Sequence, residues 1–145
     1  MRRPPSIRTE RIVAMTAITG GGLLIAGAFL PWLSLYAGLH PLRGVIGLNG
    51  RLIAAGGVVC LGSGAVEWWH PTIVARRISF ALGVALTAFA GWLLVQQAVV
   101  YRELSPMLVP RPGLGLFVAL AGSLLAAISG LIPAILTRRG SVQSY

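Results

Sequence analysis

The stretch Ile12–Trp32, IVAMTAITGGGLLIAGAFLPW, contains no Asp, Glu, Lys or Arg. A helix rises about 1.5 Å per residue, so roughly 20 apolar residues cross the ~30 Å hydrocarbon core of a bilayer. Three further runs repeat the pattern at Leu52–Trp69, Ile78–Val100 and Leu114–Leu136, and across all four only Glu67 is charged at pH 7. In lipid each backbone N–H and C=O must be satisfied within its own segment, which leaves helices for runs of this length. The expected fold is therefore all-α, an integral membrane four-helix bundle forming one domain over residues 1–145. Its spans are placed at about 12–32, 52–69, 78–100 and 114–136.

Composition points the same way. The chain is 56% hydrophobic and 10% charged, with a mean hydropathy of +0.82, whereas soluble domains carry about 25% charged residues. Its 12 basic residues are all Arg and offset three acids, giving +9. Because this charge flanks the spans, it reads as a topology and lipid signal, not as nucleic-acid binding. The complete lack of Lys suggests a high-G+C genome of actinobacterial type. Cys60 is the sole cysteine, which excludes an internal disulfide and a multi-cysteine metal site.

Orientation follows from the arginines. Arg2, Arg3, Arg8, Arg11, Arg76, Arg77, Arg138 and Arg139 fall on one side of the expected spans, and Arg43, Arg51, Arg102 and Arg111 on the other. The positive-inside rule puts both termini in the cytoplasm, the arrangement that an even number of spans requires. The first span has the basic start of a signal peptide and an Ala26-Gly27-Ala28 that resembles a cleavage site, but its apolar stretch exceeds the usual 7–15 residues. It is expected to remain as an anchor in a bacterial inner membrane. The basic tail, residues 1–11, reads as extended, and Arg2, Arg3, Arg8 and Arg11 are candidates for contact with anionic lipids.

Outside the membrane the chain offers short segments. Leu33–Arg51 and Tyr101–Gly113 read as turn-rich outer loops broken by Pro and Gly, and His70–Arg77 as a tight inner connection. Pro41-Leu42-Arg43-Gly44-Val45-Ile46-Gly47-Leu48 echoes Pro110-Arg111-Pro112-Gly113-Leu114-Gly115-Leu116, each before an even-numbered span. The echo fits either two related hairpins or shared use of turn residues. Trp32, Tyr36, Tyr101 and Trp68-Trp69 lie at span ends, where amphipathic rings anchor at the headgroups.

The strongest packing signal is glycine. The chain has 19, several at four-residue spacing: Gly56-Cys60-Gly64, Gly83-Thr87-Gly91 and Gly122-Ala126-Gly130. Small residues one turn apart let helix backbones approach closely. These faces pack the bundle against itself, receive a helix of another integral membrane subunit, or do both. Glu67 is the one carboxylate at membrane depth, and such groups are normally paired. Arg76 or Arg77, across the inner connection, is the expected partner, and a structural pair is favoured over a proton site. Pro133 is expected to kink the fourth span.

Catalysis finds little support. Three acids, two histidines on opposite sides and one cysteine leave few titratable groups to position within hydrogen-bond reach. Nucleophile, zinc-protease and phosphate-loop motifs are missing, so neither enzyme activity nor a cofactor is expected.

Pro31-Trp32, the turn Gly44-Val45-Ile46-Gly47-Leu48-Asn49-Gly50 and the Pro112-Gly113-Leu114-Gly115-Leu116 that opens the last span together resemble small four-span membrane proteins of actinobacterial, mycobacterial type. Asn49 stands where those proteins commonly have Asp. The resemblance implies architecture and no particular activity. Claudin-type proteins share the span count, but their paired outer cysteines and Gly-Leu-Trp motif are lacking. The functional expectation is an accessory or scaffold subunit of a larger envelope complex, such as a lipid or solute transporter. The alternative is a small self-associating transporter or channel, for which the spans supply few polar residues.

Overall fold

The computed structural model describes residues 7–35, 40–108 and 111–142. Four helices dominate: α1 Ile7–Phe29, α2 Leu48–Trp69, α3 Ile73–Leu108 and α4 Gly115–Val142. Each is long and apolar enough to cross a bilayer, and the chain is a multi-pass, all-α membrane protein. Around the bundle α1 packs between α2 and α4, and α3 closes the ring mainly against α4 and over less of its length against α2.

The helix ends depart from the expected spans for identifiable reasons. The first helix begins at Ile7, so Ile7–Arg11 is helical and not an extended tail. A charged first turn carries no hydropathy signal, yet it continues the same hydrogen-bond ladder. The helix ends at Phe29, ahead of Pro31, because a residue before proline is pushed out of the helical region. The third helix runs for 36 residues, about 54 Å at 1.5 Å per residue. It passes through Pro106, a residue that the sequence places in a broken outer loop, and α4 passes through Pro133 to Val142.

The outer loops are not merely turns. Pro31–Leu35 forms β1, His40–Arg43 forms β2 and Arg111–Pro112 forms β3. They make a three-stranded sheet in the order β2-β1-β3, with both outer strands antiparallel to β1. A short 3-10 turn at Gly44–Ile46 leads from β2 into α2. The echoed segments thus occupy equivalent places. Each supplies a strand beside β1 and then a helix beside α1.

The core draws on all four helices, around Leu24, Ile53, Leu86, Ala90, Leu116 and Ala119. Glycine sets the spacing of these contacts. A Cβ on Gly20 would stand 2.7 Å from the carbonyl oxygen of Gly122, and one on Gly122 would stand 2.7 Å from that of Gly20. Further out on the same seam, a Cβ on Gly27 would meet the Ala119 nitrogen at 2.6 Å. On the other side of α1, Gly21 faces Gly57 just as tightly, with 2.7 Å to its carbonyl oxygen. Without a hydrophobic drive between helices in lipid, such close approach supplies the dispersion contacts that hold them together.

Candidate functional site

Of the three small-residue faces, two and most of the third are taken up inside the molecule. Gly122 and Ala126 meet Gly20 of α1, and Gly130 meets Phe80 and the backbone of Arg76 in α3. Gly56 abuts the side chain of Leu86, Cys60 is fully buried, and Gly64 lies against Ala17 and Ile18. Gly83 touches the backbone of Ala126 and Ala127. Thr87 donates a hydrogen bond to Ser123 at 3.0 Å. Among the glycines of these three faces, Gly91 alone has open space beyond its α-carbon. The groove envisaged along Gly122-Ala126-Gly130 is therefore filled by α1 and α3, and a partner helix has no access to it.

Buried hydroxyls are satisfied locally. Ser123 donates to the Leu120 carbonyl at 2.8 Å and Ser129 to that of Ala126 at 2.7 Å. Ser63 donates to the Cys60 carbonyl at 2.9 Å and meets Ser79 at 2.6 Å. With the Ser63 proton so engaged, Ser79 donates across the α2–α3 interface. Hydroxyls one turn along a helix commonly bond back to its carbonyls in this way.

The charged cluster forms at the end of the bundle that carries the start of α1. Glu67 is 2% exposed, and its Oε1 accepts a hydrogen bond from Arg76 Nε in an ion pair. Glu10, on α1, lies 4.0 Å from the same guanidinium. Arg76 therefore joins three helices. Arg11 stands over the Trp68 ring at 5.7 Å, a cation–π contact that ties α1 to α2. Glu67 Oε2 has no hydrogen-bond partner among the described residues. Arg77, the other expected partner of Glu67, is exposed and makes no ion pair among the described residues. Arg2 and Arg3 lie outside the described residues, as do Tyr36 and the side chains of Arg8, Tyr101 and Pro133.

Two polar residues carry no signal of their role in the sequence alone. Glu10 sits among arginines in a stretch read as a tail, and its role appears only once α1 starts at Ile7. Ser79, outside the charged cluster, gains its role only where the fold sets it against Ser63 across the α2–α3 interface.

At the opposite end Trp32 is a plug and not a headgroup anchor. The β1–β2 register slips at Trp32, and a bulge of this kind re-aims a side chain. The indole is 9% exposed, lies against Gly44 and Gly115, and donates from Nε1 to the Gly27 carbonyl at 2.9 Å. Its own carbonyl accepts from the Gly113 N–H at 2.8 Å and from Gln97 Nε2 at 3.2 Å. The three short motifs that carried the family resemblance thus converge on one side chain.

Between α2 and α3 the bundle opens sideways. A cleft of about 770 Å³ runs along Leu52–Val59 of α2 and Ile78–Phe89 of α3, and its walls are almost wholly apolar. Phe89 stacks on Trp92 with ring centroids 6.1 Å apart. Compared with family models, curated proteins and solved structures, the chain matches none of them.

Proposed function

We propose that this protein is a non-enzymatic accessory or scaffold subunit of a larger cell-envelope membrane complex, with a lipid or solute transporter as the class of complex, in a bacterial inner membrane. One observation carries the reading. The interior is filled by backbone seams and by the buried hydroxyls of Ser79, Ser123 and Ser129, each already bonded to a neighbour. A conduit would need polar groups lining a continuous space, and among the described residues the buried hydroxyls form no such lining inside this bundle.

The outside of α3 is the better surface for another subunit. Its apolar window is 28% buried, against 44% for those of α1 and α4. Gly91 is open, and Trp92 and Val95 beside it are exposed. A helix of a neighbouring subunit could approach there as closely as α1 and α4 approach each other.

The test is purification of a tagged copy in mild detergent. The expected result is a stable heteromeric assembly containing at least one other integral membrane protein in fixed stoichiometry. A homo-oligomer that conducts ions or solutes when reconstituted alone would refute the proposal and establish the channel alternative.

A further inference from the structure

We propose that the α2–α3 cleft is a specific site for one anionic glycerophospholipid, with an acyl chain in the cleft and its phosphate on Arg77. Length supports this occupant first. The α3 wall spans Ile78–Phe89, about 16 Å at 1.5 Å per residue, which is half of the ~30 Å hydrocarbon core. That is the depth of one leaflet. A transmembrane helix of another protein would call for a groove through both. The inner end of the cleft, at Ile78, meets the charged end of the bundle, while the outer end is walled by Phe89 backed by Trp92.

Charge then selects the headgroup. Arg77 lies one turn before Ala81 and two before Ala85, both of which line the cleft, so it continues the same column of α3. Helical side chains lean toward the helix N-terminus, which carries the guanidinium past the apolar walls toward headgroup level. Arg76 is held by Glu67 and Glu10, whereas Arg77 is exposed and without an ion pair among the described residues. An apolar slot one leaflet deep, ending at an unpaired cation, complements a lipid with a negative phosphate and no compensating positive group. The site is separate from the basic tail and adjoins the partner surface at Gly91, the two meeting at Trp92.

Native mass spectrometry of protein released from nanodiscs tests this. The discs contain equal amounts of phosphatidylglycerol and phosphatidylcholine with identical acyl chains. The wild type should retain a single phosphatidylglycerol in preference to phosphatidylcholine. Arg77→Gln should cut that preference roughly five-fold, the worth of one basic residue at the membrane surface, while Arg102→Gln near the other end of α3 should leave it unchanged. Ala85→Phe should expel the bound lipid by filling the slot. Ala85 is exposed, so the variant is expected to keep the elution volume and helicity of the wild type, and those measurements verify its fold. Equal retention of both lipids, or full retention in Arg77→Gln or in folded Ala85→Phe, would overturn the proposal.

Discussion

The two faces of α1 and the interface between α2 and α3 solve the same problem by different means. Around α1, glycines at Gly20, Gly21, Gly27, Gly57 and Gly122 bring backbones into direct contact. Between α2 and α3 the helices meet over less of their length, joined near the charged end by Ser63–Ser79 and Glu67–Arg76 and touching along the cleft through the Leu86 side chain against Gly56. In lipid, apolar side chains gain little by leaving the solvent, so an interface holds through close packing or through polar pairs. Close packing makes a rigid seam that excludes everything else. Polar pinning at one end leaves space beyond it, and that space is available to another molecule.

The contrast is easiest to break at the seam. Gly122→Leu would place a branched side chain where even a Cβ comes within 2.7 Å of the Gly20 carbonyl. Overpacking of this kind costs roughly 1–3 kcal/mol and occasionally more, so the variant should aggregate or lose most of its folded yield in detergent. The same change at Gly62, which has nothing within 4 Å, should leave the yield intact. Equal tolerance at both positions would mean that α1 and α4 do not meet as described.

A smaller effect is expected at the pinned end. Glu67→Ala removes one of two carboxylates near Arg76 and leaves Glu10 at 4.0 Å, so the loss should be about 2 kcal/mol, the scale of a hydrogen bond to a charged group. Glu67→Gln keeps an acceptor oxygen for Arg76 and should lose less. Both can be followed by denaturant-induced unfolding in detergent micelles. If Glu67→Gln instead removed an associated transport activity at normal abundance and stability, the carboxylate would belong to a proton or substrate path.

The sequence disclosed the four helices because each span holds a continuous apolar run long enough to exceed any soluble alternative. It disclosed the Glu67 pair because a lone carboxylate at membrane depth demands a cation nearby, and the candidates were already narrowed to Arg76 and Arg77. The ends of the helices were hidden because charged turns such as Ile7–Arg11 look like tails. The outer sheet was hidden because strands of two to five residues, each holding a proline, are too short to carry an alternating pattern. Trp32 looked like an anchor because its position is ordinary for one. Its burial depends on Gly44 and Gly115, which are distant in sequence and adjacent only in the fold. Four-residue spacing of small residues marked candidate faces but could not say which helix would occupy each groove, nor that Gly91 would face open space.

The central claim is that small-residue faces hold the bundle together from within while the outer side of α3 is left for another subunit. The most direct measurement places a photo-crosslinking residue at Gly91, where open space accommodates it, and irradiates intact cells. The expected result is one discrete adduct between this chain and a different integral membrane protein. An adduct at twice the mass of the chain alone, or none beyond lipid, would contradict it.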